Sequence, residues 1–312
     1  MTTARSDHGR QGAPELPAGT TVEELERLCI RFAVEAGRFI RDERPPRMGV
    51  AATKSTETDV VTVMDRRSEE LLHRLIQQAR PDDGILGEEG ADVAGTSGLT
   101  WVVDPIDGTV NYLYEVPAYA VSVAVVVGDA RTEQGWEPVA GAVADPSLRL
   151  VHHAGRGTGA RTRPEGDVAD REEPDEPDAL AALGALGAGA TVLSVSGEDR
   201  LARTLLATGF GYAPEVRARQ ADVMRRVLPA VRDIRRIGSA ALDLVRVAEG
   251  SVDAYAETGL NAWDLAAGWL IVEEAGGVVV GSQGRPGKEL TVAAGPALVD
   301  QVRALFTEGA RD

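Results

Sequence analysis

A chain of 312 residues with 43% hydrophobic residues is long enough to bury a large core, so we expect one large globular domain or two closely packed ones. Its formal net charge of −16 at pH 7 would repel nucleic-acid phosphates and anionic membranes, which argues against both as partners. A phosphorylated small molecule remains compatible with this charge if a metal cation or backbone N–H groups supply local positive charge.

The cysteine count and the N-terminus predict a soluble, cytoplasmic protein. Cys29 is the single cysteine, so an intramolecular disulfide and a multi-cysteine zinc cluster are excluded, and we expect its side chain to be buried in a helix. Residues 1–19 lack the apolar segment of a signal peptide, and no apolar run reaches the ~20 residues of a transmembrane helix. We expect residues 1–19 to form a disordered leader.

The first elements combine helical and strand patterns. Thr21 and Glu24 fit a capping box, and the helical spacing of apolar residues after them predicts a helix over about 21–43 that ends at the RPP of 44–46. The elements predicted next are a helix after Asp65, short buried strands near 84–87 and 100–103, and two neighbouring strands within 118–146.

An acidic, proline-rich stretch then interrupts the pattern. Like charges at the density of residues 161–178 do not pack, so we predict an exposed insertion or linker over 156–190. The pattern resumes with strands near 203–210, 251–256, 277–281 and 290–294, and with helices near 217–228, 238–249, 264–275 and 296–308. The chain is thus predicted to have an N-terminal α+β half over 20–155 and a C-terminal α/β half over 191–312, in a layered α/β or α+β fold.

Four acidic segments at the ends of apolar segments are the candidates for chemistry. They are TDVVTVMD with Asp59 and Asp65, GEEG with Glu88 and Glu89, DPIDGT with Asp104 and Asp107, and NAWDLAAG with Asp264. Asp104 and Asp107 can face one point if the strand turns at Pro105, and the Ile106 carbonyl then points to the same region. Two carboxylates that close raise a pKa or require a cation, and oxygen ligands without histidine or cysteine favour Mg²⁺ over zinc.

A phosphate could be bound beside these carboxylates. Gly108 and Thr109 open the following segment, and backbone N–H groups at a helix start can hold a phosphate. Each segment also has a structural interpretation: DPIDGT as a turn that caps a helix, GEEG as an exposed loop, and Asp264 as an N-cap. Taken together, the segments favour a functional site.

Other phosphate chemistries lack their signatures in this sequence. The spacing of Asp104 and Asp107 is three, not the two of haloacid dehalogenase-type phosphatases, and Cys-x5-Arg, RHG and the P-loop pattern are absent. His73, His152 and His153 show no metal-binding pattern. The remaining chemistry is attack of metal-activated water on a phosphate ester without a covalent intermediate.

Five segments together resemble the inositol monophosphatase family of Mg²⁺-dependent, lithium-sensitive phosphatases. They are KSTETDVVTVMD, GEE, WVVDPIDGTVN, RRIGSAALDLVRVAEGSVDAYAE and NAWDLAAGWLIVEEAGG. The similarity extends over about residues 21–305 apart from the acidic insertion, and is greatest to the bacterial inositol-1-monophosphatase branch. The resemblance implies a layered αβαβα sandwich, a homodimer, and a site between the two halves of the chain.

The resemblance also implies a set of metal ligands. Glu88, Asp104 and the Ile106 carbonyl would hold a first Mg²⁺. Asp104, Asp107 and Asp264 would hold a second. A third, weaker ion would lie near Glu88, largely through water. The expected cofactor is therefore two or three Mg²⁺ ions.

Catalytic roles carry over in the same way. Asp65 and Thr109 would orient and deprotonate the attacking water, with Glu88 contributing through its metal ions. The amides of Gly108 and Thr109 would bind the phosphate. Lys54 would lie on a mobile loop that approaches the metals.

Substrate contacts are implied for Asp107, the Ala240 backbone, Glu257 and Asp264. Asn261 departs from the histidine that many relatives carry before AWD, which affects the choice of alcohol.

The expected function is hydrolysis of inositol 1-phosphate, a small phosphorylated polyol, to myo-inositol and phosphate. Histidinol phosphate, fructose 1,6-bisphosphate or a 3'-phosphonucleotide is an alternative substrate. A different class of function, a non-catalytic interaction protein of the transcription machinery, also remains open.

Overall fold

We analysed a computed structural model of the chain, which describes residues 15–46, 52–53, 60–90, 92–132, 135–168 and 189–307. Its helices within these ranges are α1 (Val22–Asp42), α2 (Val63–Ala79), α3 (Thr109–Leu113), α4 (Pro214–Val227), α5 (Ala240–Ala248), α6 (Ala262–Glu274) and α7 (Val299–Thr307). Its strands are β1 (Ala52–Thr53), β2 (Val60–Val61), β3 (Gly84–Gly87), β4 (Leu99–Asp107), β5 (Ala120–Val127), β6 (Glu137–Asp145), β7 (Leu150–Gly155), β8 (Gly159–Pro164), β9 (Thr191–Val192), β10 (Leu205–Ala207), β11 (Asp233–Arg235), β12 (Ala254–Glu257), β13 (Val278–Val280) and β14 (Thr291–Ala294).

Two mixed sheets organise the described residues. The larger sheet has seven strands in the order β3-β4-β5-β6-β7-β8-β9, and its neighbours are antiparallel except for the parallel pair β3–β4. The smaller sheet has five strands in the order β11-β10-β12-β14-β13, with β10 parallel to both of its neighbours. Strands β1 and β2 form a separate antiparallel pair.

The larger sheet is covered by helices on both faces, which explains its long apolar strands. Val121 and Val123 of β5 lie in the core shared with α1, whereas the alternating residues Ala124 and Val126 lie in the core shared with α5 and α6. Because successive side chains of a strand point to opposite faces, a strand buried on both sides needs apolar residues throughout. The AVSVAVVV sequence of β5 meets this requirement.

The smaller sheet completes the layers. Its one face shares the core of α5 and α6, and its other face packs against α4 and α7 through Leu206, Val292 and Val302. The order is therefore α1 and α2, the seven-stranded sheet, α5 and α6, the five-stranded sheet, and α4 with α7. This arrangement confirms the predicted αβαβα sandwich.

Some boundaries differ from the prediction. The β7–β8 hairpin continues the larger sheet to Pro164, inside the interval 156–190 that we predicted as an insertion. Residues 169–188 lie outside the described residues, so the division of the chain into two halves stays a prediction. Helix α4 begins at Pro214 rather than near 217, because proline suits the first position of a helix. In the described part of the chain, no helix has both the length and the apolarity needed to cross a bilayer.

Candidate active site

The end of β4 redirects two buried carboxylates. Pairing between β4 and β5 is regular up to Asp104 and shifts in register between Asp104 and Asp107. Proline removes a ladder donor, and a bulge changes the direction of side chains, so Pro105 suits this irregularity. Asp104 Oδ1 accepts a hydrogen bond from the Ile106 N–H at 3.1 Å, which closes a local turn.

Three carboxylates meet beyond this turn. Oxygens of Asp104, Asp107 and Asp264 all lie within 4.8 Å of one another. The Asp104 and Asp107 residues are 1% and 7% exposed. Three of the four carboxylates predicted as metal ligands are therefore brought together.

Like charges this close are unfavourable without a proton or a cation. Burial raises the pKa of Asp264 well above its ordinary value, with further increases from Glu88 and Asp107. Burial also raises the pKa of Asp107. An all-oxygen group of this kind fits Mg²⁺, since this ion prefers carboxylate and carbonyl oxygens.

The N-terminus of α2 brings Asp65 to the same region. Thr62 and Asp65 form a capping box, in which Asp65 Oδ2 accepts the Thr62 N–H at 2.8 Å. Asp65 Oδ1 accepts the Thr109 hydroxyl at 3.0 Å, and this hydroxyl also lies 3.1 Å from the Ile106 carbonyl oxygen. Asp65 is fully buried, so the predicted Asp65–Thr109 pair is a defined contact.

Gly108 makes the transition from β4 to α3. Its φ of 89° is in the left-handed region, and a Cβ here would lie 3.0 Å from the Gly238 carbonyl oxygen and 3.1 Å from that of Ala118. Glycine is therefore required on both conformational and steric grounds. The backbone amides predicted to bind phosphate lie at this helix start, where N–H groups lack intrahelical acceptors.

Asp107 connects β4 to the N-terminus of α5. Its Oδ2 accepts the Ser239 hydroxyl at 2.5 Å and the Ala241 N–H at 2.7 Å, and its Oδ1 accepts the Ala240 N–H at 3.3 Å. We predicted that the Ala240 backbone contacts the substrate. In this structure the Ala240 N–H donates to Asp107. Ser239 was not among the predicted site residues, although its place before the helical AALD segment is a recognisable N-cap signal.

Asp264 also belongs to a helix start. Asn261 is the N-cap of α6, and Asp264, the third helical residue, forms a capping box with it. Asp264 Oδ2 accepts the Asn261 N–H at 2.6 Å. Asp264 therefore caps α6 from the third helical position and not as the N-cap itself. It also contributes a carboxylate to the acidic cluster.

Glu257 and Asp243 add acidic groups near Asp107. Burial raises the pKa of Glu257 to about 7, although the Tyr255 hydroxyl, which donates to Glu257 at 2.6 Å, acts to lower it. Burial also raises the pKa of Asp243 to about 8, with further increases from Glu257 and Asp107. Asp243 was not among the predicted site residues, because an acidic residue in the first turn of a helix is common.

The turn after β3 carries Glu88, which is partly buried and raises the pKa of Asp264. The next residue, Glu89, donates its N–H to Oε2 of Glu69 on α2 at 2.8 Å. Glu69 was not among the predicted site residues either. Lys54 lies outside the described residues.

Comparisons with known proteins identify relatives of this chain. The inositol monophosphatase family matches residues 21–310. Among curated proteins, the inositol-1-monophosphatase of Mycobacterium bovis is 43% identical over 296 residues, which cover 90% of this chain and 92% of that protein. A protein of Pasteurella multocida named Nus factor SuhB is 35% identical over 280 residues, 88% of this chain and 92% of its own length. The solved structure of Mycobacterium tuberculosis SuhB has a TM-score of 0.70 at 41% identity and covers 94% of this chain and 97% of that one.

Proposed function

The chain belongs to the inositol monophosphatase family, and from this premise we propose that it is a Mg²⁺-dependent phosphomonoesterase that hydrolyses inositol 1-phosphate to myo-inositol and phosphate. The observation that carries the proposal is the meeting of Asp104, Asp107 and Asp264 within 4.8 Å, beside the Asp65–Thr109 contact. A general acid–base pair and an oxygen-rich cation site next to each other are what phosphate-ester hydrolysis by water requires.

We propose the role of each group from the family resemblance, with the acidic cluster as its support. Glu88, Asp104, the Ile106 carbonyl, Asp107 and Asp264 would hold two or three Mg²⁺ ions. Bound there, Mg²⁺ supplies positive charge that makes water more acidic and neutralises charge on the leaving oxygen.

The chain itself provides the proton acceptor. The Thr109 hydroxyl donates to Asp65 Oδ1, so it can accept a proton from an attacking water while its own proton passes to Asp65. The amides of Gly108 and Thr109 would orient the phosphate beside this pair. Lys54 lies outside the described residues, so its place on a loop near the metals stays a prediction.

The alcohol would be recognised on the α5 side of the cluster. Asp107, Asp264, the Ala240 backbone and Glu257 are the proposed contacts for its hydroxyl groups. Glu257 accepts a hydrogen bond from Tyr255, which holds its carboxylate in place. Carboxylates accept hydrogen bonds from hydroxyl groups, so this composition favours a polyol over a nucleotide.

A substrate panel tests the proposal. Purified full-length protein would be assayed for phosphate release from inositol 1-phosphate, histidinol phosphate, fructose 1,6-bisphosphate and a 3'-phosphonucleotide, with Mg²⁺ or with EDTA. We expect the highest kcat/KM for inositol 1-phosphate and no turnover in EDTA. A much higher kcat/KM for histidinol phosphate would refute the substrate, and turnover in EDTA would refute the metal dependence. The same assay with LiCl tests the inhibition by lithium, and sedimentation tests the homodimer, both of which we propose from the resemblance.

A second candidate function is favoured by one comparison. The relative named Nus factor SuhB covers most of this chain at 35% identity, so a role in a transcription complex is our alternative proposal. Pull-down of purified transcription elongation components with the wild-type protein and with Asp104→Asn would separate the two functions. Binding that persists in the variant would establish a non-catalytic role.

A further inference from the structure

Three residues of α2 face the two segments that carry the proposed metal ligands, which are the end of β4 and the turn after β3. Asp65, Ser68 and Glu69 are spaced i, i+3 and i+4, which places them on one side of the helix. Asp65 accepts the Thr109 hydroxyl at 3.0 Å, and the Ser68 hydroxyl donates to the Pro105 carbonyl at 3.2 Å. The third residue, Glu69, contacts the turn after β3, which carries Glu88.

The turn that carries Glu88 is wrapped around the Glu69 carboxylate. Glu69 is only 3% exposed, and its Oε2 accepts the Glu89 N–H at 2.8 Å. A Cβ at Gly87 would lie 2.7 Å from the Glu69 carboxyl carbon, and a Cβ at Gly90 would collide with its Oε1. The two glycines of GEEG therefore allow the backbone to approach a buried carboxylate from both sides.

We propose that Glu69 is a positioning residue that holds the turn of residues 87–90 in the shape that directs Glu88 towards Asp264. The proposal rests on the proposed function, in which Glu88 binds Mg²⁺. Glu69 itself is placed among neither the ligands nor the groups that touch substrate. It acts through the backbone of Glu89, next to the ligand.

The proposal has a specific energetic consequence. Loss of an outer hydrogen-bond partner of a metal ligand costs about 10–100-fold in metal affinity. Glu69→Ala leaves the Glu89 N–H without its acceptor and opens space beneath the turn. Glu69→Gln keeps both the acceptor oxygen and the volume, so it should preserve the turn.

The test measures Mg²⁺ binding by isothermal titration calorimetry on the full-length chain, together with kcat at saturating Mg²⁺. We expect Glu69→Ala to raise the Mg²⁺ dissociation constant by about 10–100-fold and to change saturated kcat much less. Glu69→Gln should restore most of the affinity. Glu70→Ala is the matched control, because Glu70 is the exposed neighbour on the same helix and should bind Mg²⁺ as the wild type does.

A double-mutant cycle adds a steric readout. Gly90→Ala should weaken Mg²⁺ binding when Glu69 is present, because the new methyl group meets its carboxylate. In the Glu69→Ala background the same substitution should cost less, since the obstructing group is gone. Additive effects of the two substitutions would overturn the proposal.

Two further results would also overturn the proposal. One is a Mg²⁺ affinity of Glu69→Ala equal to that of Glu70→Ala. The other is an equal loss of Mg²⁺ affinity in Glu69→Ala and Glu69→Gln, accompanied by equally lowered melting temperatures in EDTA. Failure of the wild type to bind Mg²⁺ or to release phosphate would instead reject the proposed function. The two failures are therefore distinguishable.

Discussion

Asp107 stabilises a helix start and repels Asp264 at the same time. It accepts hydrogen bonds from Ser239 and Ala241 at the start of α5, while burial raises its own pKa. Asp65 and Asp264 likewise complete capping boxes of α2 and α6. The helix starts thus fix the positions of carboxylates whose mutual repulsion favours binding of a cation.

A substitution of Asp104 distinguishes the contribution of this carboxylate to turnover from its contribution to the stability of the fold. Asp104→Asn keeps an oxygen that can accept the Ile106 N–H, but it removes one charge from the acidic cluster. We expect turnover to fall by more than about 100-fold, since even an outer partner of a metal ligand is worth 10–100-fold. The melting temperature in EDTA should stay the same or rise, because repulsion decreases. Phosphate-release assays and thermal unfolding measure both effects. The exposed Asp129→Asn is the control, and substantial residual activity in Asp104→Asn would reject the metal assignment.

The Thr109 hydroxyl gives a second test at this scale. Thr109→Val removes the donor to Asp65 Oδ1 but keeps the shape of the side chain. We expect kcat at saturating Mg²⁺ to fall by about 10²–10⁴-fold, the usual contribution of a positioned proton-transfer group. Thr109→Ser retains the hydroxyl and should keep most of the rate. Equal rates for the valine and serine variants would show that the hydroxyl does not transfer the proton.

Helices and apolar strands, including short ones such as β3 (Gly84–Gly87), were predictable from their pattern, whereas short strands without an apolar run were not. The apolar spacing of α1 and the TWVV of β4 led to elements that the structure confirms. Strands such as β11 (Asp233–Arg235) have only three residues and a single apolar one, which is too short a pattern to predict a strand or its pairing with β10, a neighbour distant in the chain. The order of strands in each sheet could not be predicted for the same reason, since it depends on pairing between strands that are distant in the chain.

Site residues also differ in whether they could be predicted from the sequence. Those in local signals, such as DPIDGT, could be identified from the sequence. Ser239 and Glu69 could not be assigned to the site, because their partners Asp107 and Glu89 lie 132 and 20 residues away. A glutamate on an amphipathic helix is normally exposed, so nothing local indicates that Glu69 is buried.

Helix α5 shows how an element supports the site. Ser239 caps it by accepting the Leu242 N–H at 3.3 Å, and its hydroxyl donates to Asp107. We expect Ser239→Ala to lower the free energy of unfolding by about 0.5–2 kcal/mol, as for other lost N-caps, and to raise the Mg²⁺ concentration needed for half-maximal activity. Denaturant unfolding and Mg²⁺ titrations measure these effects.

Ser251→Ala is the matched control for this helix. Ser251 is exposed and donates to the Arg246 carbonyl near the C-terminal end of α5. It should change neither quantity appreciably. If Ser239→Ala lowered stability but left the required Mg²⁺ concentration unchanged, the hydrogen bond from Ser239 to Asp107 would not contribute to activity.

At the scale of the whole molecule, two adjacent histidines of β7 join the layers. His153 Nδ1 lies 2.7 Å from Glu26 of α1, on one face of the larger sheet. His152 Nδ1 lies 3.4 Å from Glu249, the residue that caps the C-terminus of α5 on the other face. Both histidines are buried, so their protonation affects the packing of helices against the sheet.

Burial determines the charge of His152. It lowers the pKa of His152 to about 3, with smaller contributions from His153 and Arg246, and these effects outweigh the nearby Glu249. In the unfolded chain, a histidine has a pKa of about 6.5. The unfolded state therefore binds the proton first as the pH falls. The stability that neutral His152 contributes is fully present above pH ~6.5 and is lost progressively as the pH falls towards 3.

His152→Gln tests this dependence because glutamine remains uncharged in both states. Below pH ~6 the wild type should lose about 1.4 kcal/mol of unfolding free energy per pH unit through this residue, and the variant should lack that contribution. The stability difference between wild type and variant should therefore shrink as the pH falls from 7 to 5. Urea unfolding in EDTA at several pH values measures this difference without a contribution from bound metal. A difference that stays constant over this range would show that His152 does not titrate on unfolding and that the acid sensitivity of the fold has another origin.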